Sequence, residues 1–510
     1  MTNYTFKACS FLNNNASTLD AKDVPSFSFA PSDFKGMGRG GGMCIYLKVQ
    51  TTMITITITD SVFQRNSAVW GGGLYVGLLD NPNNNTIYIS NTKFDGNYCS
   101  KTGGGIKINY LFDEGANNFV SLQNCNFTSN TAEFGGGMVF YSNQRYKSSD
   151  LNNKLQFLDC EWSYNTAHYG AAVDIEPPWN MSSTGLPVPV FQNCRFISNW
   201  VIDEKMSKCI NFELCLQTKN GKGTFVAIGY SIQFRGTVHF ENNTGSAMYM
   251  TSSILEFATG ADAVFVHNSG IDGGAIALLA FSEIWVHENC VFTFANNSAL
   301  LRGGAIFAYN VNTQDYVSSH RCFIQYIGTN MYEIHHKTNV TFNFTENVIS
   351  GCDSQVATDN QYGTSIFAST VYPCHRYCSG EASSRGAYNV GNPFECIGKF
   401  IYNNEIENSS QEISTCSRQF RINQSDHLPL MVIPGKTFVL PIALEDDFQN
   451  EVPEVYHVAV HNNGNSKIAI DRAFTNPKDK GILLFLSCHC CGLPHDRLLV
   501  LHSGSHLQVL

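Results

Sequence analysis

Charge is scarce in this chain. Asp, Glu, Lys and Arg make up 15% of its 510 residues, with 32 basic against 42 acidic side chains and a net charge of -10. No basic stripe is visible, and phosphate recognition needs one, so a nucleic-acid partner is excluded; cations or neutral glycans fit the surface better. Long apolar runs are missing too. Ile482 to Leu493 in GILLFLSCHCCGL is too short to cross a bilayer, so the chain is expected to hold no membrane span. The opening MTNYTFKACSFLNNNAS has no apolar signal core and starts inside a repeat. We therefore expect an N-terminally incomplete piece of a longer secreted protein, its signal sequence and any anchor lying elsewhere. Low charge is not disorder here, because 43% of the residues are hydrophobic and can fill a long core.

What the chain has in abundance is a repeat. F-x-x-N recurs with its aromatic at Phe11, Phe63, Phe94, Phe127, Trp162, Phe196, Phe240, Phe265, Phe294 and Phe344. The amide follows three residues later, at Asn14, Asn66, Asn97, Asn130, Asn165, Asn199, Asn243, Asn268, Asn297 and Asn347. From Phe63 to Phe196 the aromatics are 31, 33, 35 and 34 residues apart, and later 25 and 29 apart, so a unit of about 25 residues tolerates insertions. Between the motifs lie short runs of β-branched and aromatic residues such as ITITIT and TIYIS, which read as strands. Gly71-Gly72-Gly73, Gly103-Gly104-Gly105, Gly135-Gly136-Gly137, Gly273-Gly274 and Gly303-Gly304 each precede such a run and supply sharp turns.

Strand-like units that repeat in phase stack like on like at about 4.8 Å. The expectation is an all-β solenoid, a parallel β-helix of about ten coils over residues 1–370, forming a rod about 45 Å long. Phe63, Phe94, Phe127, Trp162 and Phe196 form an inner ladder, with Asn66, Asn97, Asn130, Asn165 and Asn199 bonding coil to coil in a structural role. Cys125, Cys160 and Cys194, two residues before their aromatics, read either as buried thiols or as cross-links between coils.

Eighteen cysteines exceed ordinary cytosolic usage. Cys352, Cys374, Cys378, Cys396 and Cys416 sit where a core is hard to see and are the disulfide candidates. Zinc at Cys374-His375…Cys378 or at Cys488-His489-Cys490-Cys491 lacks a second half, so disulfides are preferred. N-glycosylation sequons stand at Asn3, Asn15, Asn84, Asn126, Asn180, Asn242, Asn296, Asn339, Asn343, Asn408 and Asn423. Asn126 and Asn343, beside inward aromatics, are expected to face outward.

FQRNSAVWGGGLYV, FTSNTAEFGGGMVF, FANNSALLRGGAIFA and, less completely, WSYNTAHYGAAVDI resemble the F-x-x-N and G-G-A-[ILV] repeats of chlamydial polymorphic outer-membrane proteins. These belong to the pectin-lyase-like right-handed parallel β-helices, and right-handedness is implied by that resemblance alone. The resemblance also implies a surface passenger domain, although no C-terminal membrane barrel is recognisable, so autotransport does not carry over. The superfamily includes polysaccharide lyases and glycosidases. Their paired carboxylates, Gly-His-Gly and Arg-Ile-Lys are not found in the repeats. Asp174 and Asp272 are isolated along the sequence and read as turn or surface residues. Arg65, Arg195, Arg235 and Arg302 are scattered along the sequence without matching acids in register, and His239, His267 and His287 lack ligand spacing. We expect no catalytic residue, no metal ligand and no cofactor.

Repeat phase fades after Asn347. Residues 371–425 read as a Cys-rich connector or cap, and 426–510 as a small β-sandwich-like module, with Asp446-Asp447 as a turn and the last thirty residues fitting neither part. A Pro-Gly turn opening that module resembles, more loosely, the region after comparable repeats in large animal extracellular proteins. The functional expectation is a non-catalytic extracellular or cell-surface scaffold for adhesion or recognition. Its partner would be an extracellular protein or a glycan, held by the insertions Asn15 to Gly40, Tyr141 to Asn153, Ile202 to Gly223 and Tyr309 to His335. The alternative is a polysaccharide lyase or glycosidase, or its degenerate glycan-binding relative; paired acids on one lateral face would favour it.

Overall fold

Ile54–Thr59, Val62–Gln64, Ser67–Trp70 and Leu74–Leu79 show how one repeat folds: β-branched and aromatic runs separated by abrupt corners. At each corner the backbone takes a left-handed conformation, with φ of 51° at Asp60, 52° at Arg65 and 66° at Gly71. The next coils repeat this at Asn91, Gly96 and Gly103, then at Asn124, Ser129 and Gly135. Asx and Gly residues tolerate that conformation, which explains their supply at the first and third corners. The second corner has Asn or Gly at Asn13, Gly96, Asn242 and Asn296 but Arg65, Ser129, Tyr164, Ser198, His267 and Glu346 on the other coils, where the neighbouring structure imposes the turn.

The computed structural model describes residues 2–16, 38–47, 51–79, 82–111, 116–142, 152–176, 188–202, 223–280, 282–309, 322–327, 339–349, 365–368 and 397–403, and strand backbones between 413 and 509. Every regular element among them is a strand. The chain divides into two compact units, the first holding Met1–Phe367, Pro373–Gly386 and Gly391–Glu412.

That first unit is a parallel β-helix. Its first sheet has 10 strands from Thr2–Lys7 to Ile324–Tyr326, and its second has 11 from Ser10–Leu12 to Lys399–Asn403. The third runs from Met43–Leu47 through Ile366–Ala368. Successive coils pair in parallel and in register. Phe63 lies opposite Phe94, Phe94 opposite Phe127, Phe127 opposite Trp162, and Trp162 opposite Phe196. From Phe11 to Phe344 these rings stack with centroids 4.5 to 5.2 Å apart. Each buried ring contributes about 1.5–3 kcal/mol through area alone, and stacking adds about 0.5–1.5 kcal/mol per pair. Aliphatic and aromatic residues of the other two sheets fill the remaining core, with Ile58, Ile89, Leu122 and Phe157 in one column and Val76, Ile108, Phe140 and Ile175 in another.

The solenoid passes the boundary expected near residue 370. Lys399–Asn403, inside the stretch read as a connector, pairs with Thr341–Thr345 and adds a further rung. Tyr402 takes the ladder position beneath Phe344 at 5.2 Å. Its Phe is replaced by Tyr and the residue three positions on is Glu405, so the motif is not recognisable in the sequence.

The second unit holds Ala368–Tyr372, Ala387–Val390 and Ile413–Leu510. An antiparallel sheet orders Gln419–Ile422, Thr437–Glu445, Gly481–Cys488 and Ile468–Asn476, and a smaller sheet joins Val460–Asn462, Leu507–Val509 and Leu499–Leu501. The last thirty residues, expected to fit neither part, supply Gly481–Cys488, an inner strand of the larger sheet. Asp446-Asp447 lies outside the described residues.

Candidate functional site on the outward face of the first sheet

The Asn column lies inside the solenoid. Asn66, Asn97, Asn130 and Asn165 each donate both the backbone N–H and Nδ2 to Oδ1 of the next Asn, at 3.0 Å throughout. Nδ2 also donates to the carbonyl of the aromatic one rung back, from Asn97 to Phe63 at 2.9 Å and from Asn165 to Phe127 at 2.8 Å. The ladder runs from Asn14 to Asn347 and Asn199 continues it through Asn243. A second, shorter ladder joins Asn85, Asn118 and Asn153 ahead of first-sheet strands. Sequence reading missed it; the signal is an Asn immediately before TIYIS, FVSLQ and KLQFL.

Cys125, Cys160 and Cys194 are free, buried thiols that donate to the carbonyls of Gln123, Leu158 and Gln192 at 3.3 to 3.4 Å. Burial pushes Cys194 up to about 12 and Cys160 well above the ordinary thiol range, so both stay protonated and inert. Cys352, Cys374, Cys378, Cys396 and Cys416 lie outside the described residues, as do Cys490, Cys491 and the side chain of Cys488. Cys322, which was not among the candidates, is disulfide-bonded.

Of the sequon residues, Asn3, Asn15, Asn84, Asn126, Asn242 and Asn339 are exposed, and Asn296 and Asn343 are half-buried. Asn180, Asn408 and Asn423 lie outside the described residues. So does most of each proposed binding insertion: the chain leaves the described structure after Ala16, Ser142, Ile202, Tyr309 and Ile327.

The isolated acids and bases sort differently from the sequence reading. Arg195 lies opposite Glu161 and contacts it at 3.4 Å, while Arg302 lies opposite Asp272 and grips it through Nε at 2.9 Å and Nη2 at 3.3 Å. These two arginines therefore do have acids in register, which the uneven repeat length conceals. His239 pairs with Glu241, His267 occupies an exposed corner, and His287 stands on the first sheet, so the three do not converge. Asp174 is neither a turn nor a surface residue. It points outward from the third-sheet strand Val173–Glu176, yet is only 2% exposed. Lys107 stands two rungs away across Val139, with Tyr141 and Glu176 in the adjacent row. Burial, reinforced by Glu176 and opposed by Lys107, raises the Asp174 carboxyl well above its usual range, and burial lowers the Lys107 amine to about 8. Lys107 Nζ donates to Thr102 Oγ1 at 2.7 Å, and one Asp174 oxygen makes no hydrogen bond.

The more accessible constellation is on the first sheet. Register puts Gln233, Glu256, Trp285 and Gln325 in one outward row across four coils. Glu256 accepts a bond from Gln233 Nε2 and lies against His287 Nε2, both at 2.9 Å. Glu283 is 4% exposed and accepts from Trp285 Nε1 at 2.7 Å and Gln325 Nε2 at 3.1 Å. Arg235 closes the network through Gln233 at 2.6 Å. Offset by one rung and two residues, the Cα atoms of Glu256 and Glu283 are about 8 Å apart by strand geometry. A half-buried indole thus stands between two carboxyls, one beside an imidazole. Such a surface can hydrogen-bond a polyhydroxyl chain and stack a sugar face. The sequence reading missed these residues because each rung contributes only one or two polar side chains; aligning ILEF, EIWV and IQY by strand recovers the column.

No protein-family model, curated protein or solved structure matches this chain. No described residues form a group of three or more metal-binding side chains, and no helix among them is long and apolar enough to cross a membrane.

Proposed function

We propose that the chain is a non-catalytic extracellular or cell-surface scaffold that recognises an extracellular protein or a glycan through segments inserted between its coils. One observation carries this reading. From Asn66 to Asn347 the ladder asparagines are buried and none is a sequon, whereas all eight sequon asparagines that the structure describes have side chains outside the core. Such a division suits a chain that passes through the secretory pathway, and the disulfide at Cys322 accords with an oxidising compartment. The resemblance to polymorphic outer-membrane protein repeats, with its pectin-lyase-like right-handed winding, supports the same surface role. To test it, the chain is secreted from animal cells behind a foreign leader, its sequons are mapped by mass spectrometry, and its binding to cells and glycan arrays is measured. Occupied sequons are expected. Replacing residues 203–222 or 310–321 by short Gly/Ser turns should abolish binding with little change in melting. Empty sequons, or binding untouched by every such replacement, would sink the reading.

A second reading is favoured by Glu256 and Glu283 on one lateral face: a glycosidase or lyase, or a relative that keeps its groove. Such chemistry needs one carboxyl to protonate a leaving oxygen and another to activate water, and these two acids stand on adjacent coils of that face. Reducing-end or unsaturated-product release from a polysaccharide panel, lost in both Glu256→Gln and Glu283→Gln, would support it; no turnover by the wild type rules out catalysis.

A further inference from the structure

Tyr164 and Trp200 are the most exposed large apolar side chains among the described residues, at 61% and 63%. They are neighbours. Ser163 lies opposite Ile197, and Asn165 bonds to Asn199, which places Tyr164 opposite Ser198 at the second corner of adjacent coils. On the following coil, Ile197 lies opposite Glu241 and Asn199 bonds to Asn243, which places Ser198 opposite Asn242. Tyr164, Ser198 and Asn242 therefore form a row at intervals of about 4.8 Å, with Trp200 two residues beyond Ser198. Asn242 is exposed, sits in the left-handed conformation at φ 52°, and opens the sequon Asn242-Asn243-Thr244. Ser198 is the small member of the row and leaves the aromatic side chains standing on either side of it. Of the charged residues nearby, Glu161 pairs with Arg195, and Glu241, which precedes Asn242, lies against His239 at 3.1 Å.

Two exposed rings on neighbouring coils offer apolar surface that a flat apolar partner can cover. We propose that the occupant is the N-glycan of Asn242 itself, folded back over Ser198 so that the apolar face of its first sugars packs on Trp200 and Tyr164. The amide column underneath fixes the distances, since Asn199 donates to Asn243 Oδ1 from its backbone at 3.0 Å and from Nδ2 at 3.1 Å. Asn126 and Asn343, by contrast, project from the second-sheet strands Asn126–Thr128 and Thr341–Thr345, where register sets Lys93 and Glu161 beside Asn126, and Thr293 and Ile401 beside Asn343. Their glycans would stand free.

The inference rests on the secretory reading above, and the experiment separates the two. Full-length chain secreted from animal cells is compared with Asn242→Gln, Trp200→Ala and the double variant, with site occupancy read by mass spectrometry and stability by thermal melting. The expected result is that Asn242→Gln lowers the melting temperature in the Trp200 background and has no effect once Trp200 is Ala. Trimming to a single N-acetylglucosamine should retain most of the effect, and Asn126→Gln should show none. Occupied Asn242 with equal melting losses in both backgrounds, or with no loss in either, overturns the proposal while leaving the scaffold reading intact. If the other sequons are occupied and Asn242 is bare, the proposal fails alone. If all are bare, both fail. Wild type enzymatically trimmed in its native state provides the same comparison without relying on a variant that folds.

Discussion

Asn130 carries more of the fold than its size suggests. It donates to Asn165 and to the Phe94 carbonyl and accepts from Asn97, all within the core. Asn130→Ala would remove the acceptor of the Asn97 N–H and of one Asn97 Nδ2 bond, and the Nδ2 donor to the Phe94 carbonyl, and each buried group left unpaired costs about 1–3 kcal/mol. A loss of about 3 kcal/mol or more in urea denaturation is expected, whereas an exposed change such as Lys93→Ala, which removes one surface contact to Asp95, should cost well under 1 kcal/mol. Asp174 has the opposite character. Its folded carboxyl holds its proton to higher pH than the unfolded one, whose ordinary value is 3.8. Its contribution to stability is therefore complete below that value and is lost as pH rises through the folded value. Asp174→Asn should be close to wild type near pH 4 and increasingly more stable than it toward neutrality. Denaturation curves for both proteins across that window decide the matter, and a constant difference would count against it.

The corners show which parts of the architecture the residues announce. A Cβ on Gly136 would lie 2.5 Å from the Ala171 carbonyl oxygen and 2.6 Å from that of Thr166, both backbone atoms that cannot move independently. Gly136→Ala should cost about 2–4 kcal/mol through lack of space, while Gly260→Ala, with no atom within 4 Å and a left-handed φ of 73°, should cost only a conformational term of about 1 kcal/mol. Equal losses in thermal or chemical denaturation would show that space is not what Gly136 protects. The strands, glycine turns and aromatic interior were legible because each is written within one repeat. Glu256, Glu283 and Trp285 were not, because their relation exists only across coils whose lengths differ. Asp174 was misread for the same reason: alternation on Val173–Glu176 marks it as outward, but no local pattern says that the outward face is buried. The rung at Lys399–Asn403 escaped because Tyr and Glu stand where the motif has Phe and Asn.

Between Phe63 and Asn347 the described coils are held by parallel sheets and by the same amide column. Cohesion is therefore divided into nearly equal portions, each closed by its neighbours, with few contacts joining distant rungs. Seen mechanically, the chain is a wound tether. Tension on its ends loads one terminal coil at a time, and each coil of 31 to 35 residues that comes free lengthens the chain by about 100 Å before the next is loaded. A stack built this way dissipates a sudden pull in steps and leaves the coils behind the break folded, with their loops still on display.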